Sequence, residues 1–462
     1  MEHKLKVALV VPKSRVKIDF SVPLNLAGLA SFLLSKKSHV TVRIIDGLAG
    51  DNVFEMLKSF QPNIVGVSAT TPEVPAAYAV GDWLRATGVY CVIGGAHASA
   101  LPKEALQHFD CVVVGEGETA LVNIVDAFEV GKPIRGIIAG EPFMVLDDLP
   151  MPAYHLVKIS KYLTHGPSFA ALKKPSFALL MSRGCPFRCP FCYNSTRKSP
   201  PRYFSAKRII DEVQFLLAHY KISSFLFVDD DFLINKKVLL ELDRLMKERN
   251  VKIIWGCQAR ANTLTREVLL LAKRMGCVFV LPGFENMSPR ILNYLKGGTT
   301  TPEMNERAVR IAKEAGMPLG CNFVFGTPTE TLEEMKASFD WYLKTGSFLW
   351  ATVASIVPFP GTTLYAACRK KGLLPEHLDY ERFKLTNRTK EVYVIDTAVD
   401  PRVYRMFMFH TVRIAWVLRR LRCGDTFRSL LNDLHFWYLT VYHPIKTLKM
   451  LGCRLKHEPI VC

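Results

Sequence analysis

The sequence predicts an α/β chain: an N-terminal doubly wound, Rossmann-like parallel sheet, then a partial or complete parallel β/α barrel, then a helical C-terminal region. Three observations lead there. Short β-branched runs alternate with amphipathic stretches from residue 5 onward, a second series of six such runs follows residue 175, and the alternation stops near residue 376. Continuous apolar runs separated by helices mark strands buried on both faces, the pattern of a parallel sheet covered by its own crossovers.

In the first region the strand candidates are KVALVV, VTVRIID, IVGVSA, YCVIGG and CVVVG, with helices over PLNLAGLASFLL, NVFEMLKSF and about 73–86, which bounds a domain at 1–140. Ligands of such sheets sit beyond the carboxyl ends of the strands. Those ends carry Ser68-Ala69-Thr70-Thr71, Gly94-Gly95-Ala96-His97 and Gly115-Glu116-Gly117-Glu118. Small residues let a ligand approach the backbone closely, so Ser68, Thr70, Gly94, Gly95, Gly115 and Glu116 are candidate cofactor contacts. Tight turns alone are the plainer explanation of the glycines. His97 reads as a hydrogen-bonded loop residue rather than a metal ligand.

A Pro-rich link, 141–174, leads to the second region, 175–375, whose strand candidates are FALLMS, SSFLFVDD, KIIWGCQAR, CVFVLPGFE, GCNFVFG and ATVASIVPF. Six βα repeats suggest a parallel barrel, with chemistry on the loops after its strands. The loop after the first strand holds Cys185, Cys189 and Cys192, spaced by three and two residues and made compact by Gly184, Pro186 and Pro190. Three thiols on one loop can ligate three irons of a cubic cluster and leave the fourth open. Structural zinc is the alternative, but it prefers four ligands in paired halves, and no second half lies nearby. Arg183 and Arg188 are placed to offset the cluster's negative charge.

The chain has 462 residues, 49% hydrophobic and 22% charged, which fits several packed domains and excludes a disordered one. The absence of a signal-peptide pattern points to the cytoplasm, where twelve cysteines argue against a disulfide framework. Sixty Lys+Arg against 42 Asp+Glu give a net charge of +18, which favours anionic partners. Much of this charge falls in the C-terminal region, 376–462: residues 402–458 hold eleven Lys+Arg and three acidic side chains. There Trp416, Phe427, Phe436, Trp437, Tyr438 and Tyr442 are interleaved with Arg413, Arg419, Arg420, Arg422, Arg428, Lys446 and Lys449. Such a cap could rest on an anionic bilayer and suit a lipid substrate, or its aromatic stripe could be core. Nucleic acid ranks last, because no binding motif accompanies the charge.

Cys-x3-Cys-x2-Cys with an aromatic before the last Cys resembles the signature of radical S-adenosylmethionine enzymes. That resemblance implies a [4Fe–4S] cluster on Cys185, Cys189 and Cys192, with S-adenosyl-L-methionine chelating the open iron and Phe191 near its adenine. It extends over about 175–375 through Phe227-Val228-Asp229-Asp230-Asp231-Phe232, Trp255-Gly256-Cys257-Gln258-Ala259-Arg260, Gly283-Phe284-Glu285, Gly326-Thr327-Pro328-Thr329-Glu330 and Pro358-Phe359-Pro360-Gly361-Thr362. By the same resemblance Arg260, Glu285 and Gly326 are cofactor-binding candidates; a structural ion pair is the alternative for Arg260 and Glu285. The first domain is similar to the cobalamin (B12)-binding domain of the large B12-dependent class of these enzymes. It departs from other B12 proteins in one place: where those carry Asp-x-His-x-x-Gly, this chain reads Pro12-Lys13-Ser14-Arg15-Val16-Lys17-Ile18-Asp19, with no imidazole for cobalt. The implied reaction is radical generation and cobalamin-dependent methyl transfer to an unactivated carbon, with an external electron donor such as flavodoxin or ferredoxin. Cyclisation or rearrangement without methyl transfer is the alternative, and a non-catalytic sensor a second one.

Overall fold

The computed structural model describes residues 5–14, 22–165, 169, 171–196, 199–384, 392–395 and 398–422. The first sheet comprises β1 (Lys6–Val11), β2 (Thr41–Asp46), β3 (Ile64–Ser68), β4 (Tyr90–Gly94), β5 (Cys111–Gly115) and β6 (Gly136–Gly140), all parallel in the order 2-1-3-4-5-6. Strand order reverses between β1 and β3, so their carboxyl ends diverge around a crevice. Val7, Leu9 and Cys111 pack on one face with helices Leu24–Lys36 and Glu118–Glu129; Ala8, Val10 and Val65 pack on the other with Val53–Phe60 and Val74–Ala86. The sequence pattern misses β6, a half-exposed edge strand whose GIIAG run is too short and glycine-rich to stand out.

The second sheet comprises β7 (Ser176–Leu179), β10 (Ser224–Phe227), β11 (Trp255–Arg260), β12 (Cys277–Glu285), β13 (Leu319–Phe325) and β14 (Phe348–Ser355), again all parallel. Strand order is 7-10-11-12-13-14 with no pairing between the first and last, so the barrel is partial. Its crossover helices start on side-chain caps: Ser205, Asn235, Thr265, Ser288, Thr301 and Thr331 each accept the backbone N–H three residues on. Between β7 and β10 lies a short antiparallel pair, β8 (Ser182–Arg183) and β9 (Arg202–Tyr203), absent from the sequence reading because two residues carry no periodicity.

The 141–174 segment ties the two sheets together. Ala153 N–H bonds to Ala27 carbonyl at 3.0 Å, Tyr162 hydroxyl to Asp46, and Tyr154 hydroxyl to Glu212 of the barrel's first crossover helix. Past β14 the structure corrects one expectation. Described residues between 376 and 400 contain one 3-10 turn, Tyr380–Arg382, rather than helices, and this turn docks on the first domain through the Tyr380–Glu104 hydrogen bond at 2.5 Å. The helix that follows, Pro401–Arg422, lays Tyr404, Met408, Thr411, Ala415 and Leu418 against the barrel edge at β14. The aromatic and basic calls at Phe427, Arg428, Phe436, Trp437, Tyr438, Tyr442, Lys446 and Lys449 lie outside the described residues, as do the side chains of Trp416, Arg419, Arg420 and Arg422.

Candidate active site

The cysteine loop leaves β7 and is held at its base by the β8–β9 pair, in which Arg183 and Arg202 are register partners. Both guanidinium groups reach Glu116 at the end of β5: Arg183 Nη1 donates to Oε2 at 2.7 Å and Arg202 Nη2 to Oε1 at 2.5 Å. Arg183 also donates to Glu118 Oε1 at 2.6 Å. One first-domain carboxylate therefore grips the chain on both sides of the loop. Gly184 turns it with φ +88°, Cys192 N–H bonds to Cys189 carbonyl at 3.0 Å, and Leu364 N–H bonds to Pro190 carbonyl at 3.0 Å. Cys189 is buried, whereas Cys185 and Cys192 are half-exposed.

Among the described residues no three His, Cys, Asp or Glu side chains converge tightly enough to hold a single metal ion. A cubic cluster takes each thiolate on a different iron, which suits three thiols spread along one loop. The cation beside the thiols is Arg260, at the carboxyl end of β11. Its Nη1 donates to Cys189 Sγ at 3.1 Å, its guanidinium lies 3.7 Å from the Phe187 ring centroid, and Nη2 donates to Thr299 and Thr300 hydroxyls at 2.8 and 3.1 Å. Arg183, expected to offset cluster charge, is spent on two carboxylates, and Arg188 is exposed.

Glu285 does not pair with Arg260. It sits at the end of β12 with φ +62° and forms a buried ion pair with Lys296 at 2.8 Å. Gly326, at φ +85°, has a local reason to be glycine, because a Cβ there would lie 2.8 Å from Tyr404 Oη. Its N–H and that of Thr327 donate to Glu330, whose other oxygen accepts from Asn286 at 2.6 Å; burial pushes this carboxyl up to about 7. Asp229 accepts from Met181 N–H at 2.9 Å and Ser182 hydroxyl at 2.5 Å, fixing the strand that enters the cysteine loop, and burial pushes it up to about 7 as well. Phe191 packs beside Ile291, Leu295, Ile356 and Leu364.

At the carboxyl ends of the first sheet is a cavity of about 610 Å³, lined by Ser68, Thr70, Gly94, Gly95, Gly115 and Glu116 and roofed by Leu180, Arg183 and Phe204 from the barrel side. The residues divide on inspection. Gly115 (φ +109°) is required by Gly140, whose carbonyl would lie 2.6 Å from a Cβ, and Gly95 (φ +97°) is pressed by Ala69 and Ser68 at 3.2 Å. Gly94, by contrast, meets only Val113, at 3.8 Å or beyond, and leaves room at the cavity wall. Ser68 accepts from Asn25 at 2.8 Å, and Thr70 donates from N–H and hydroxyl to Glu73 at 2.7 and 2.8 Å. Glu116 lines the cavity with both oxygens committed to arginines.

Sequence reasoning missed Gly28, on the helix Leu24–Lys36: it lines the cavity with nothing within 4 Å of a would-be Cβ. Glycine inside a helix costs roughly 1 kcal/mol against alanine, so an open glycine facing a cavity marks a cradle for a bulky group. This is the observation that fits the cavity to a corrin. His97 is buried outside the cavity lining, bonded through Nδ1 to Thr71 at 3.3 Å, in keeping with a hydrogen-bonded role.

Comparison with known proteins places these two halves. The radical SAM superfamily matches residues 179–342, and the B12 binding domain matches 21–125. An uncharacterized methyltransferase of Pyrococcus horikoshii is 33% identical over 445 residues, covering 90% of this chain and 91% of that protein. The anaerobic magnesium-protoporphyrin IX monomethyl ester cyclase of Rubrivivax gelatinosus is 25% identical over 364 residues, covering 73% of this chain and 63% of its own. Among solved structures, the cobalamin-dependent S-adenosylmethionine radical enzyme OxsB superposes with a TM-score of 0.73 at 16% identity, over 98% of this chain and 73% of that one.

Proposed function

The chain belongs to the radical S-adenosylmethionine superfamily, in its cobalamin-dependent methyltransferase group with an N-terminal B12-binding domain, and on that premise we propose that it methylates an unactivated carbon of a hydrophobic small molecule. The observation that carries the reading is the Glu116 grip, because it ties both sides of the cysteine loop to a carboxylate on the wall of the open cavity of the B12-binding domain. When bound, the cluster and S-adenosylmethionine supply a hydrogen-abstracting radical, and the corrin supplies the methyl group.

The chain's own residues then have separable tasks. Cys185, Cys189 and Cys192 hold the cluster, and Arg260 places positive charge and an N–H donor on the Cys189 sulfur, which favours the reduced state. Glu285, fixed by Lys296, and Gly326 with Phe191 form the rim where S-adenosylmethionine is held. Gly28, Gly94, Ser68 and Thr70 line the corrin cavity. Because the described loop after β1 offers no histidine, the chain gives cobalt no imidazole from residues 12–14. An external one-electron donor such as flavodoxin or ferredoxin is required. Peripheral membrane contact rests on the basic and aromatic C-terminal sequence alone; among the described residues no helix is long and apolar enough to cross a membrane.

Ring closure without methyl transfer is the second reading, supported by similarity to the protoporphyrin ester cyclase. Anaerobic reconstitution with iron, sulfide and hydroxocobalamin tests the first. We expect four irons and one cobalt per chain after desalting and, with reductant, S-adenosylhomocysteine alongside 5′-deoxyadenosine. Iron without cobalt would overturn methyl transfer.

A further inference from the structure

Strands β11, β13 and β14 present three polar side chains to the barrel lumen. On β11, Cys257 and Ala259 pack outward in the helix-covered core while Arg260 points to Cys189, so Gln258 shares the inner face with Arg260. On β13, Cys321, Phe323 and Phe325 pack outward and a Cβ on Gly320 would meet Leu281 and Trp350 inside, so Asn322 is inward. On β14, Val353 packs outward and Thr352 inward. Parallel register aligns Arg260 with Gly283, Gly283 with Asn322, and Asn322 with Thr352, while Gln258 lies one step deeper opposite Leu281.

Gln258 and Thr352 are exposed and Asn322 half-exposed, although β11 and β13 are paired on both edges. Exposure in the middle of such strands opens into the lumen. Among the described residues none of the three side chains makes a hydrogen bond, whereas the floor beneath them is buried and apolar, Leu172, Leu226, Phe279, Leu281 and Trp350, apart from the Trp350 indole N–H, which has no partner among the described residues. Exposed polar side chains above an apolar floor are held by water, and a ligand that displaces this water gains affinity only if it replaces those hydrogen bonds. The three side chains are also neutral. Of the cations described above, Arg260 is committed to Cys189, Thr299, Thr300 and Asn262, and Lys296 to Glu285.

We propose that Gln258, Asn322 and Thr352 form the substrate subsite and that it takes an uncharged group that both donates and accepts hydrogen bonds, a carboxamide or its equivalent, carried on an apolar body. Amides and a hydroxyl match such a group in both senses, and a carboxylate or ammonium would enter without a counter-ion, at a high desolvation cost. The row is level with the guanidinium that touches Cys189, so the apolar carbons next to the anchored group lie under the cysteine loop. This deepens the methyl-transfer reading by naming what the substrate must carry.

The test uses full-length protein reconstituted with iron, sulfide and hydroxocobalamin, saturated with S-adenosylmethionine, and equilibrium dialysis against three probes of one chain length: hexanamide, hexanoate and hexylammonium. We expect hexanamide to bind about tenfold or more tightly than either ion, and Gln258→Leu and Asn322→Leu each to remove that preference. Iron content should stay as in the parent. Thr352→Val, nearly isosteric, carries the same test if the leucine variants do not fold. Equal binding of the three probes, preference for an ion, or loss of S-adenosylmethionine binding in the variants would overturn the subsite. Failure to retain cobalt with the hexanamide preference intact would overturn methyl transfer alone.

Discussion

Arg260 donates to the sulfur of Cys189 at 3.1 Å, joining the end of β11 to the most buried of the three loop thiols. Its other N–H groups hold Asn262, Thr299 and Thr300, so the guanidinium is fixed before any cofactor arrives. A lysine has the charge without the fork. Arg260→Lys should retain iron yet lower 5′-deoxyadenosine formation about 10–100-fold, the usual effect of losing an outer-sphere partner. Unchanged turnover would show that the contact is only structural.

Removing the thiol itself is a harsher test. Cys189→Ala should lose the iron and all S-adenosylmethionine cleavage while the B12-binding domain keeps its fold, measured as cobalt retained after desalting. Residual cleavage in that variant would refute the assignment of the loop.

Glu116 holds Arg183 and Arg202 across the domain boundary. Burial works against its ionisation, but the Arg202 hydrogen bonds and the Arg183 charge outweigh burial and keep the carboxyl below its usual 4.5. A carboxyl lowered in the folded state stabilises the fold above the unfolded pKa and loses that contribution as pH falls through the folded one. Glu116→Gln should therefore cost stability at pH 7, where Arg202 loses this carboxylate while Arg183 keeps Glu118, and the cost should shrink as the pH falls below 4.5. Thermal unfolding across that range decides it, and iron content should fall in parallel.

Gly28 faces the first-domain cavity with free space around it. Gly28→Leu should raise the helix's own stability and fill the cradle. We expect an unfolding midpoint at or above the parent's in protein without cobalamin, unaltered iron, and cobalt retention reduced by about tenfold or more. Full cobalt retention would place the corrin elsewhere.

Glu330 moves the opposite way with pH. Burial, partly offset by N–H groups of Thr327, Gly326 and Asn286, raises it from 4.5 to about 7. A raised carboxyl favours folding below the unfolded pKa and loses that contribution as pH rises through about 7. The unfolding midpoint should drop between about pH 4.5 and pH 7 and level off above it, and Glu330→Gln, permanently neutral, should flatten this dependence.

The sequence by itself determined the local features. Five of the first sheet's six strands and all six barrel strands announce themselves as apolar runs, because a strand covered on both faces has no polar alternation to blur it. The three thiols were legible because their ligand spacing lies within eight residues of one loop. Only the tertiary structure decided the pairings. Arg183 was readable as a cation near the cysteines but not as a partner of Glu116 and Glu118, 67 and 65 residues away. Arg260 and Glu285, both strand-end charges, take different partners because inner-face register sends one to Cys189 and the other to Lys296. Gly28, inside the helix Leu24–Lys36, carried no signal until the fold showed the cavity it faces. Spacing encodes what lies within one turn or loop, whereas contacts between strand ends far apart in sequence exist only once the sheets are assembled.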